Sequence, residues 1–113
     1  MRIDYEGRRF RPVSNTPNGE VNAGTLFHYS QSGDLFTATY QGGGIRHGSM
    51  TGLCNGDGSL RFCYQHVSDG GELRSGFCES TPEVLADGRI RLHERWHWTH
   101  GLHSEGTSIV EEQ

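Results

Sequence analysis

Leu26-Phe27-His28-Tyr29-Ser30-Gln31-Ser32-Gly33-Asp34-Leu35-Phe36-Thr37-Ala38-Thr39-Tyr40-Gln41-Gly42-Gly43-Gly44-Ile45 is the stretch whose reading decides the fold. Apolar and polar side chains alternate on both sides of Ser32-Gly33, the period of two that sends successive residues of a strand to opposite faces. A two-residue reversal at Ser32-Gly33 predicts Phe27 opposite Ala38 and Tyr29 opposite Phe36, and a second at Gly42-Gly43 predicts Tyr40 opposite Ile45. The same face then continues across both turns, as a hairpin register requires.

Working outward, further reversals are read at Gly56-Asp57, Gly70-Gly71, Asp87-Gly88 and Gly101-Leu102. They divide the chain into eight principal strands at 8–13, 25–31, 34–41, 44–53, 59–67, 72–80, 89–99 and 104–111, with a short extra strand at 83–86. The turn at Gly56-Asp57 sets Leu53 against Leu60, Thr51 against Phe62, Ser49 against Tyr64 and His47 against His66, and the turn at Gly70-Gly71 sets Tyr64 against Phe77. One face thus collects Phe27, Tyr29, Phe36, Ala38, Tyr40, Ile45, Leu53, Leu60, Phe62, Tyr64, Leu73 and Phe77. Strand 89–99 alternates Ile90, Leu92, Glu94, Trp96 and Trp98 with Arg89, Arg91, His93, Arg95 and His97, and a hairpin into 104–111 brings Trp96 near Thr107 and Glu94 near Ile109. No amphipathic helix covers the apolar face, so the sheet is expected to close on itself as an all-β, antiparallel up-and-down barrel of about eight strands.

The 113 residues suit one domain, residues 1–113, and 17 glycines against 3 prolines and 2 methionines fit a chain of tight turns. Residues 14–24 form a long loop between the first and second strands, read either as a barrel-mouth lid or as a solvated crossover. A net charge of -4 offers no general attraction for nucleic acid or anionic lipid. The start lacks the apolar core of a signal peptide and no run reaches membrane-spanning length, so a soluble cytoplasmic protein is expected. Cys54, Cys63 and Cys78 are odd in number and unpaired in spacing, the pattern of free thiols.

Phe27-x-Tyr29-x-Gln31, Tyr40-x-Gly42-Gly43-x-Ile45, Gly48-x-x-x-Gly52, Leu60 to Tyr64, Trp96-x-Trp98 and Gly106-Thr107-Ser108 together resemble small bacterial avidin-like proteins of unknown function, from about Gly19 to Glu112. The resemblance implies an avidin-like or lipocalin-like barrel, and it carries no biotin-contacting pattern across. Members of that family often go by N-acetylglutamate synthase, an activity not expected here. It would need a Gln/Arg-x-x-Gly-x-Gly/Ala pyrophosphate loop feeding a helix, and Gln41-Gly42-Gly43-Gly44-Ile45-Arg46 fails that pattern and lies in a hairpin.

Glu94 stands out because it lies between Leu92 and Trp96 on the inward face, where a carboxylate is costly unless paired and where burial raises its pKa. It reads as a ligand anchor or general acid, or else as a glutamate bonded to a buried partner. Trp96 and Trp98 with Tyr29, Tyr40 and Tyr64 would line a cavity with flat walls, or fill the barrel themselves, and Ser49, Thr51, Ser75 and Thr107 would add polar contacts. His47 and His66 face each other in the predicted register, yet two imidazoles fall short of a zinc ligand set, and His97, His100 and His103 share no fixed face, so no metal and no cofactor are expected. Cys63 and Cys78 are predicted opposite one another on the outer face, and no Ser-His-Asp or Cys-His constellation rises above chance. The expected function is binding of a small, partly aromatic or apolar ligand by Tyr29, Tyr40, Tyr64, Glu94, Trp96 and Trp98. The alternatives are an enzyme using Glu94 as acid or base, and a homo-oligomer or structural protein joined through Arg61, Cys63, Cys78 and His93.

Overall fold

In the computed structural model, which describes residues 3–15, 22–100 and 105–113, eight strands follow one another in chain order. They are β1 (Arg9–Asn15), β2 (Leu26–Ser32), β3 (Leu35–Gly42), β4 (Ile45–Cys54), β5 (Leu60–Ser68), β6 (Leu73–Val84), β7 (Ile90–His100) and β8 (Glu105–Glu112). Each pairs antiparallel with the next, and β1 returns to β8, closing the barrel. Closure removes the exposed edges that an open meander would leave. The predicted extra strand at 83–86 is not separate, because β6 runs on to Val84. Of the predicted 14–24 loop, Ser14 and Asn15 belong to β1 and residues 16–21 lie outside the described residues, as does the Gly101-Leu102 turn. Among the described residues no helix is long and apolar enough to cross a membrane.

The predicted faces hold on β2, β3, β5 and β7. On β4, β6 and β8 the structure corrects them by one residue. In the first hairpin Phe27 pairs with Tyr40 and Tyr29 with Ala38, two positions from the predicted partners, so the face survives. Between β3 and β4, Gly42 pairs with Ile45 but Tyr40 pairs with Gly48, so β4 carries one residue more than β3 over that interval. Such a bulge turns every later side chain over. Gly48, Met50, Gly52 and Cys54 consequently line the same wall as Tyr40 and Tyr64, whereas Thr51 and Leu53 are exposed and Ser49 lies on the outer side.

The turn after β4 then reverses the error. Asn55 donates to the Ser59 carbonyl and Gly58 closes the loop with φ at +87°, so three residues, not two, form the reversal between Asn55 and Ser59. A glycine in the left-handed region at the end of a three-residue loop is a standard hairpin solution. It returns Leu60, Phe62, Tyr64 and His66 to the inside, as expected. The loop after β5 has the same form, with Gly71 at φ +82°, and here nothing compensates. Arg74, Gly76, Cys78 and Ser80 therefore face inward, Leu73 is 61% exposed and Phe77 lies across from Cys63 on the outer wall. On β8, Glu94 pairs with Ser108 and Trp96 with Gly106, so Thr107 is exposed and Ile109 sits beside His93.

Candidate functional site: the barrel interior

The one-residue corrections place a polar group at the heart of an aromatic barrel. Glu94 from β7 is buried, and each of its carboxylate oxygens accepts one hydroxyl proton: Oε1 from Ser108 on β8 at 2.9 Å and Oε2 from Ser80 on β6 at 3.1 Å. Both serines owe their inward orientation to the register of the closed sheet, which sets Ser80 and Ser108 on either side of Glu94. Burial pushes the Glu94 carboxyl up to about 7, and the Ser108 and Ser80 hydrogen bonds only partly offset it. Among the described residues no cationic side chain forms an ion pair with Glu94.

Tyr29 and Tyr64 stand in the same field. Burial holds both phenols well above their ordinary range, and the Glu94 charge adds to the effect in each. Both hydroxyls are buried and have no hydrogen-bond partner among the described residues. A buried phenol without a partner is uncommon in a native interior and asks for an explanation. The Cys78 thiol, buried on β6, is raised by desolvation first and by Glu94 second.

Tyr40 does something different. Its hydroxyl lies 2.9 Å from His66 Nδ1, and its ring stacks on Phe27 with centroids 4.9 Å apart. The ring can lie flat along the wall because its neighbour across the ladder is Gly48: a Cβ there would fall 2.3 to 2.6 Å from the Tyr40 ring carbons. Gly76 gives Tyr64 the same room, with the phenol oxygen 2.5 Å from where its Cβ would stand. Trp96 and Trp98 are buried and stacked at 5.7 Å, and the Arg74 guanidinium lies 5.4 Å above the Trp98 ring while pairing with Glu72.

All six predicted residues, Tyr29, Tyr40, Tyr64, Glu94, Trp96 and Trp98, are thus buried on the inner wall. Ser49, Thr51, Ser75 and Thr107, expected among them, face outward. Ser80, Ser108, Arg74, Gly48 and Gly76 occupy inward positions that the sequence reading missed. His66 is buried but pairs across the ladder with Gly48, and His47 is exposed opposite Val67, so the predicted histidine pair does not form. The side chain of His100 and residue His103 lie outside what is described. Cys63 is exposed and Cys78 buried, so they do not face one another, and Cys78 leaves the outer-face set that also named Arg61, Cys63 and His93.

An eight-stranded up-and-down barrel with aromatic walls around a central acid belongs to the class of small β-barrels whose interior either packs solid or holds one small molecule. A family model described as avidin-like protein matches residues 3–113. The chain belongs to the avidin-like protein family. Neither a curated protein nor a solved structure gives a significant match.

Proposed function

We propose that the protein binds a small, partly aromatic or apolar ligand inside the barrel, among Tyr29, Tyr40, Tyr64, Glu94, Trp96 and Trp98. The observation that carries this reading is the pair of buried, unpartnered Tyr29 and Tyr64 hydroxyls within the field of an enclosed carboxylate. A core built only for packing gains nothing from such groups, since each unsatisfied one costs about 1–3 kcal/mol. A ligand supplying the missing hydrogen bonds recovers that cost, and membership of a family of ligand-holding barrels agrees with it.

Native mass spectrometry of the purified protein, with a thermal-shift screen of small aromatic and apolar compounds, tests the proposal. Retained or stabilising compounds whose effect disappears in Tyr29→Phe and Tyr64→Phe are the expected result. An interior filled by its own side chains, with no compound bound, would sink it. The enzymatic alternative has one observation in its favour: a carboxyl poised near neutrality suits proton transfer in both directions. Turnover of any interior ligand, lost in Glu94→Gln with binding retained, is what that alternative requires.

A further inference from the structure

Resting on that interior site, we infer that its ligand carries a protonated amine, which pairs with the buried Glu94 carboxylate. The argument is one of donor and acceptor supply. Glu94 uses one acceptor position on each oxygen for Ser108 and Ser80, which leaves the others free. Among the described residues, Ser80 from β6 and Ser108 from β8 touch it, and Tyr29 from β2, Tyr64 from β5 and Cys78 from β6 feel its charge. All are hydroxyls or a thiol, and none brings an N–H or a positive charge. The phenols and the thiol are held neutral by burial, so when Glu94 ionises its carboxylate is the one charge in this group.

Once Glu94 ionises, above about pH 7, an anionic ligand meets that charge head-on and a neutral one leaves it uncompensated. An ammonium supplies both the opposite charge and three donors, and the surrounding aromatic rings present faces that attract cations. Arg74, a cation buried on the inner wall, is engaged with Glu72 and Trp98.

The test is isothermal calorimetry with a panel of aromatic and aliphatic primary amines, each matched to its alcohol and carboxylate isostere, 2-phenylethylamine with 2-phenylethanol and phenylacetate among them. At about pH 8, where Glu94 ionises, amines are expected to bind about ten-fold or more tightly than their isosteres. The preference is expected to vanish at about pH 5.5 and in Glu94→Gln, whose folding is checked by its melting curve. If alcohols or carboxylates bind as well as the amines, or the amine preference persists in Glu94→Gln, the amine assignment is overturned while the interior site stands. If no member of the panel binds and the interior is filled, both readings fall.

Discussion

A buried carboxyl group held by two serine hydroxyls is tolerated best when neutral, and this fixes the sign of its effect on stability. Glu94 ionises near 4.5 in an unfolded chain and at about 7 when folded. Its contribution is therefore fully present below the lower value and lost as pH rises through the upper one, a loss of about 3 kcal/mol at full ionisation. Glutamine cannot ionise. Denaturation curves should show wild type and Glu94→Gln similarly stable near pH 4.5 and Glu94→Gln the more stable by up to about 3 kcal/mol near pH 8.5. Parallel pH profiles for the two proteins would mean the carboxyl is solvated. The Tyr40–Gly48 contact makes a second residue-level prediction. Gly48→Ala puts a methyl into the Tyr40 ring, an overpacking expected to cost about 1–3 kcal/mol and to break the bond to His66. On a Tyr40→Leu background the same change should cost far less, a coupling that urea denaturation of the four proteins measures directly.

At the scale of the strand, one inserted residue decides which atoms reach the interior. The thiols report this without any ligand. Cys63 on β5 should react with a thiol reagent in the native state, while Cys78 on β6 and Cys54 on β4 should react only on unfolding, because burial both shields them and, for Cys78, keeps the thiol protonated. Rapid native labelling of Cys78 would restore the register predicted from the turns. Substitution reads the same faces: Leu53→Ser and Leu73→Ser, on exposed positions, should change stability by about 0.5 kcal/mol or less, whereas Met50→Ala should cost about 2–5 kcal/mol. The strands, their order and their closure were legible because alternation is written into each segment, and β7, whose own pattern is unbroken from Ile90 to Trp98, needed no help from its neighbours. The partners of Glu94 were not legible. Ser80 and Ser108 are found only by counting through turns. A glycine doublet such as Gly70-Gly71 does not say whether it forms the middle of a two-residue turn or ends a three-residue one. Nor does Gly42-Gly43-Gly44 announce the bulge beyond it. Two such miscounts cancelled at β5 and one stood alone at β6, which is why Tyr64 was placed correctly and Ser75 was not.

Across the whole molecule the two ends of the barrel are built differently. Up-and-down connectivity puts the β2–β3, β4–β5 and β6–β7 turns at one end, and the segment before β1 closes that end. Tyr5 is fully buried against the rings of Phe10, Tyr29 and Phe36, its backbone N–H donates to the Gln31 side chain, and its hydroxyl donates to the Gly58 carbonyl at 2.6 Å. Ile3 lies over the same turn, near Gly58. At the opposite end the β3–β4 and β5–β6 turns are joined by the Asp69 to Gly44 hydrogen bond, with Tyr40, His66, Arg74 and Trp98 just inside. Trp98 is eight residues along β7 from Ile90, roughly 26 Å at the usual strand rise. A closure at one end should therefore act on stability and leave the tryptophans alone. Tyr5→Phe removes the bond to Gly58 and strands a buried carbonyl, so it should cost about 1–3 kcal/mol in urea denaturation. Because Trp96 and Trp98 are the chain's two tryptophans, native fluorescence reports on their surroundings, and the emission maximum should not move in this variant. A shifted maximum would mean that the closed end and the tryptophan stack relax together, and the interior would then have to be treated as one deformable core instead of two ends that respond independently.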